Sequence, residues 1–169
     1  VLNIKNEEPR LLLSHEFRYP TGQFLLSPPA GLIDKEDLQP VMTAASVTSD
    51  AAAGSSDAAA GAAGTDMRTA PLIKTAIREL KEETDTACVI NPLLFSTPGM
   101  TDESNALVLL SINRNTMPDL STSGAVGSEC FDGFSLLTKE DALRILRQGT
   151  DDNGIFYSIY TWASLMHFV

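Results

Sequence analysis

Three carboxylates lie close together in "RELKEE", residues 78–83: Glu79, Glu82 and Glu83. Residues three and four apart are neighbours on a helix, so in helical form the three share one side. Like charges at that spacing cost an isolated helix about 0.2–0.5 kcal/mol per pair. A hard divalent cation would turn this repulsion into coordination, since Mg²⁺ takes oxygen ligands and usually keeps several waters. Arg78 stands one turn before Glu82, placed to pair with it or to orient a neighbour. The structural alternative is a solvated Glu-rich helix face, and Lys74 and Lys81 show that this helix has a solvated side. The flanking sequence must separate the two readings.

The elements around the triad follow from periodicity and punctuation. Thr69 can cap a helix, Pro71 is tolerated in a first turn, and the pattern runs to about Thr84. Ile73, Ala76, Ile77, Leu80 and Thr84 fall on one face by 3.6-residue spacing, and the carboxylates point away from its Ile77–Leu80 part. Upstream, "PRLLLSHEFRY" reads as a strand closed by the turn "PTGQ", and "FLLSPPAGLID" as a short apolar run entering a Pro-Pro-Ala-Gly loop. Downstream, "ACVINPLLFSTPG" and "ALVLLSINR" read as strands around "TPGMTDES", and Phe131 to Leu137 as a further strand. "TKEDALRILRQG" reads as a helix capped by Thr138, boxed by Asp141 and stopped by Gly149. A last helix is expected from Ile155 to His167, with Ile155, Ile159, Trp162, Ala163 and Met166 on its core face. His15 and His167 read as structural, since neither has a metal-like partner at helical spacing. Strands mixed with a few helices indicate a layered α/β or α+β domain.

Composition bounds the function. The 169 residues suit one domain, and 43% hydrophobic with 20% charged residues is ordinary globular usage. A net charge of −10 without basic clusters argues against a nucleic-acid polymer as partner. The longest apolar runs, such as "ALVLL" at 106–110, are too short to span a bilayer, so no membrane partner is expected. Cys88 and Cys130 show neither metal spacing nor a disulfide framework and are expected as buried free thiols of a cytoplasmic protein. "VLNIKNEEPR" does not read as a signal peptide. Val1 already reads as part of a strand, so a preceding N-terminal segment is expected. One stretch differs from the rest: from about 35 to 69 the chain is dominated by Ala, Gly, Ser, Thr and Asp. It has too little apolar area to offset its ordering entropy and is expected to be flexible.

With these pieces in view, "RELKEET" resembles the second half of the Nudix box, G-x5-E-x7-R-E-U-x-E-E-x-G-U, where U is a bulky aliphatic residue. "PPAGLID" resembles its first half, with Gly31 as the opening glycine. "EFRYP" (16–20) and "STPGMTDE" (96–103) resemble companion motifs of the ADP-ribose pyrophosphatase branch. Four pieces occur in the family's order, and the resemblance covers most of the chain outside 35–69. There are departures. Gly31 and Arg78 stand 47 positions apart where the pattern has 14, an excess of 33 residues inside the box. Counting forward from Gly31, the first acidic position of the pattern falls on Asp37, beside Glu36; counting back from Arg78, it falls on Ala70. Asp85 and Thr86 stand where the pattern closes with glycine and an aliphatic residue. Arg78, Glu79, Glu82 and Glu83 are intact.

The resemblance implies a single Nudix-type domain over residues 1–169, an α/β/α sandwich around a mixed β-sheet, carrying a long low-complexity insertion. It implies Mg²⁺-dependent hydrolysis of the pyrophosphate bond of ADP-ribose or a related nucleoside diphosphate sugar, with Mn²⁺ as the alternative ion. In that family Glu79 and Glu83 would be direct metal ligands. Glu82 would contribute directly or through water, and the backbone carbonyl of Ala30 would add a further ligand. The branch's general base lies on a loop after the box, where this chain offers Glu129 in "GAVGSECFDGF", with Glu103 the second candidate as base or metal-shell residue. Arg18 would contact phosphate or ribose, as guanidinium binds phosphate bidentately. Gly99 and Met100 would form a turn near the substrate. For each of Arg18, Glu103 and Glu129 an ordinary surface residue is the competing reading. The branch commonly dimerises, so a homodimer is a family expectation. Two rival functions stand beside this one: a Nudix hydrolase of another nucleoside diphosphate derivative such as NADH, and a Nudix-fold binding or regulatory module without turnover.

Overall fold

The computed structural model of the chain describes residues 1–34, 37, 69–80, 84–120 and 130–169. Nearly all of the expected insertion therefore lies outside the described residues, as do Glu82, Glu83 and Glu129. The described elements run in the order β1 (Leu2–Ile4), β2 (Leu11–Arg18), β3 (Gln23–Ser27), α1 (Ala70–Leu80), β4 (Thr86–Phe95), β5 (Ser104–Arg114), β6 (Phe131–Leu137), α2 (Lys139–Gln148), β7 (Phe156–Tyr157) and α3 (Ile159–Phe168). The fold is α+β. Its strands form two mixed sheets, ordered β1-β5-β4 and β6-β2-β3-β7, where the sequence reading expected one.

In the first sheet β1 lies parallel to β5, with Leu2 beside Ile112, and β4 and β5 form an antiparallel pair around the 96–103 loop. In the second, β2 and β3 are antiparallel across the turn expected at "PTGQ", where the Thr21 and Gly22 amides both donate to the Arg18 carbonyl. β2 also pairs antiparallel with β6, and β7 adds parallel to β3. The alternation of β2 places Leu11 and Leu13 on one face, where they meet Leu26 of β3, Leu137 of β6, Ala142 and Ile145 of α2, and Leu165 and Phe168 of α3. A smaller cluster of Leu2, Ile4 and Ile112 lies on the first sheet, with Leu80 of α1 and Leu136 of β6 packed against it. Leu136 and the Leu2–Arg10 bridge join the two parts.

Leu13 is fully buried at the centre of the larger cluster. Leu13→Ala should therefore cost about 2–5 kcal/mol, with Tm falling by roughly 2–4 °C per kcal/mol in a chain of this size. A thermal melt showing less than a degree of change would mean that this cluster is not the stabilising core.

Local chemistry sets the α2 boundaries. Thr138 caps it, the reciprocal bonds between Thr138 and Asp141 complete a capping box, and Gly149 closes it with φ of 81°, where a Cβ would be strained. Three expectations need correction. The last helix begins after Ser158, which caps it, and residues 156–157 are strand instead. Its buried face is Thr161, Ser164, Leu165 and Phe168, whereas Ile159, Trp162 and Met166 are exposed. Thr161 decides this orientation by donating from Oγ1 to the Leu26 carbonyl at 2.7 Å. Cys88 and Cys130 are free as expected, but exposed rather than buried. Among the described residues no helix is long and apolar enough to cross a membrane.

Candidate functional site

The site is built where the loop after β3 meets α1. Ser27 ends β3, and Pro28 and Pro29 lack amide donors, so the chain leaves the sheet there. It passes Ala30 and reaches Gly31, which lies against Glu79 of α1. A Cβ built on Gly31 would overlap the Cγ, Cδ and Oε1 atoms of Glu79. Glycine leaves room here for a side chain, and the Glu79 carboxyl lies close to the Gly31 backbone. Arg78 Nη1 donates to Glu79 Oε1, which holds the carboxylate there.

Arg78 is the hub of the contact. Its Nη2 donates to the Leu32 carbonyl at 2.8 Å and to Asp37 Oδ2 at 2.9 Å, and lies 3.1 Å from Asp34 Oδ2. The expected pairing with Glu82 falls outside the described residues; the partners of Arg78 that are described all lie in the glycine loop or next to it in the chain. Asp37 is buried at 2% exposure. Besides Arg78, its Oδ2 accepts from Thr75 Oγ1 at 2.9 Å and from the Asp34 amide at 3.1 Å, while Lys74 Nζ stands 3.7 Å from Oδ1. A buried carboxylate without such partners would be strongly disfavoured.

The face of α1 that meets the loop also differs from expectation. Thr75 is the buried residue of this helix, Glu79 is half-buried one turn later, and Ile77 is exposed. Leu80 alone of the predicted apolar face packs against a core cluster. The polar clasp from Thr75, Arg78 and Glu79 to the loop sets the rotation of the helix; apolar periodicity does not.

The hydrogen bond from Arg78 holds the Asp37 carboxyl down at about 2, with the Asp34 amide and Thr75 adding to it, while burial opposes them. A carboxyl lowered in the folded state stabilises the fold above its unfolded value of about 3.9, and that contribution is lost as pH falls through about 2. Asp141, lowered mainly by its bond from Thr138, responds in the same direction. The two are separated by comparison with Asp37→Asn. The variant should be less stable than wild type at neutral pH, with the difference closing between about pH 4 and 2. Denaturant melts across that range check it; a constant difference would mean that the Asp37 charge contributes nothing.

The other predicted residues are more scattered. Arg18 ends β2 and pairs with Glu16 at 2.7 Å. Gly99 and Met100 lie in a turn held by bonds from the Met100 and Thr101 amides to the Thr97 carbonyl, and Met100 is 87% exposed. This turn lines a shallow concavity with Phe95, Pro98, Thr101 and Asp102. Glu103, at the end of the same loop, is exposed and takes a long 3.5 Å contact from Asn105 Nδ2. The Asn105 amide also donates to Tyr160 Oη at 2.6 Å, tying this end of β5 to α3. Among the described residues, no hydrogen bond or ion pair joins Arg18 or Glu103 to Glu79.

At the loop–helix contact the Glu79 carboxylate is a donor of the kind a hard cation takes, and Ala30 precedes the glycine that Glu79 covers in the chain. Among the described residues no group of three His, Cys, Asp or Glu side chains gathers to hold an ion; two members of the predicted triad lie outside them.

Sequence reasoning left Asp37 ambiguous and did not single out Asp34 or Thr75. The forward count from Gly31 was the available signal. It reaches Asp37, and the structure shows that residue bonded to Arg78. No protein-family model matches this chain, and no curated protein matches its sequence.

Proposed function

We propose that this chain is a Nudix-type pyrophosphohydrolase that cleaves ADP-ribose or a related nucleoside diphosphate sugar with Mg²⁺, or Mn²⁺ in its place. The observation that carries the reading is the clasp between Gly31 and Asp37 on one side and Arg78 and Glu79 on the other. They fall in the two stretches that resemble the halves of the box pattern, and they are in contact although 33 more residues than that pattern has lie between them.

Hydrolysis needs negative charge on the phosphoryl oxygens offset and a water held in line with the bond that breaks. Bound at Glu79, with Glu83, Glu82 and the Ala30 carbonyl as the other proposed ligands, a divalent ion would supply that charge. Arg78 keeps the Glu79 carboxylate against the glycine loop, and Asp37 keeps Arg78 in place. Glu129 is the proposed general base, with Glu103 as second candidate. Arg18 is proposed for phosphate or ribose, and the Gly99–Met100 turn for the wall of the substrate site. Water adds to one phosphorus, the P–O–P bridge opens, and ADP-ribose yields AMP and ribose 5-phosphate. The sandwich architecture of the family, a cytoplasmic location and a homodimer belong to the same proposal.

The test is product identification after incubation with ADP-ribose, NADH and other nucleoside diphosphate sugars, with and without Mg²⁺. Mg²⁺-dependent release of AMP and ribose 5-phosphate, fastest from ADP-ribose or another sugar, supports the reading. Faster cleavage of NADH replaces the substrate class, and binding without turnover on the whole panel replaces the enzyme with a binding module.

A further inference from the structure

Thr75 is 5% exposed, in the middle of a helix whose other residues are at most half-buried. A buried threonine in a helix commonly returns its hydroxyl to a carbonyl one turn back. Here the hydroxyl leaves the helix and donates to Asp37 Oδ2 at 2.9 Å. The same oxygen accepts from Arg78 at 2.9 Å, and Arg78 in turn holds Glu79. Arg78 is 43% exposed and shares its donors among Leu32, Asp34, Asp37 and Glu79, so it is a poor anchor by itself. Thr75 is different: a short, χ1-restricted side chain packed in a buried position. It also stands one turn before Glu79, on the same side of α1.

We infer that Thr75 is a positioning residue for Glu79, acting through Asp37 and Arg78. Its hydroxyl locks the Asp37 carboxylate, Asp37 fixes the guanidinium, and the guanidinium sets the Glu79 carboxylate over Gly31. The inference rests on the hydrolase reading for its kinetic consequence, but its geometry stands apart from that reading.

The test compares Thr75→Val, which keeps the shape and removes the hydroxyl, with Thr75→Ser, which keeps the hydroxyl, in the full chain. With ADP-ribose, Thr75→Val should lower kcat about tenfold, the scale expected when a residue behind a metal ligand is lost. The Mg²⁺ concentration for half-maximal rate should rise by a similar factor, with KM for ADP-ribose unchanged, and Thr75→Ser should recover most of both. A lower Tm with kcat and the Mg²⁺ requirement unchanged would overturn the inference and leave Thr75 a purely structural residue. Should the Val variant not fold, Thr75→Ala takes its place with the same expected outcomes. If the wild type cleaves no nucleoside diphosphate derivative, the hydrolase reading fails first. The positioning role is then decided by a crystal structure of the Val or Ala variant: Glu79 displaced from Gly31 upholds it, and Glu79 unmoved overturns it.

Discussion

Under the proposed hydrolase function, Glu79→Gln should lower the rate of ADP-ribose cleavage by about a thousandfold while leaving the fold and its melting temperature nearly unchanged. Gln has the shape of Glu, so it can lie over Gly31 as the carboxylate does, and the Gly31 contact places no demand on charge. The Arg78 donor still finds an amide oxygen, and Arg78 remains held by Asp37 and the Leu32 carbonyl. An exposed pair of this kind contributes only about 0–1 kcal/mol, which explains the small expected change in stability. What disappears is the negative charge offered to a hard cation. Charge stabilisation by a bound metal amounts to several kcal/mol in the transition state, and each 1.36 kcal/mol is about tenfold in rate. Steady-state kinetics across a Mg²⁺ series, beside a thermal melt, checks both halves. A Gln variant with wild-type kcat would remove Glu79 from the reaction and with it the metal role proposed for α1.

How much of this was legible beforehand depended on whether the deciding forces were local. The capping box of Thr138 and Asp141 and the stop at Gly149 are chemistry within one turn, and they appear as read. The strands from Leu11, Thr86, Ser104 and Phe131 likewise follow from β-rich runs between turn residues. α3 was misoriented because it is apolar on more than one side. With Ile159, Trp162, Met166, Leu165 and Phe168 all candidates, periodicity cannot choose, and the tie is broken by Thr161 reaching the Leu26 carbonyl. The rotation of α1 was missed for a related reason: its buried position is a threonine whose partner is 38 residues away in sequence. For the site, the residue types and order of "PPAGLID" and "RELKEE" were readable, and so was Gly31. The insertion hid which acid faced Arg78. Only the fold shows that Asp37 is buried and paired, because burial of a carboxylate is a property of what surrounds it. The exposed cysteines could not be read at all, since nothing in the neighbouring sequence marks the exposed side of Cys88 on β4.

Gly31→Ala should separate stability from activity. The added methyl would overlap the Glu79 side chain, not backbone. A glutamate can swing away toward solvent by changing rotamer, so the fold should survive with little loss of stability. The carboxylate cannot stay where it is. Ordinary carbon contacts are about 3.5–4.0 Å, so the side chain must move by more than an ångström. A displacement of that size in a reacting arrangement can cost about a hundredfold. The expected result is therefore a folded protein with a Tm near that of wild type and kcat about a hundredfold lower. The overlapped atoms include Glu79 Cγ, which aspartate keeps, so shortening the side chain gives no relief. Gly31→Ala combined with Glu79→Gln should instead be hardly slower than Glu79→Gln alone, because the side chain that the methyl displaces no longer carries the charge. Such non-additivity is the mark of two residues in contact. If Gly31→Ala is as active as wild type, the close approach of loop and helix has no part in the reaction. If it is unfolded, the glycine serves the backbone and not the carboxylate.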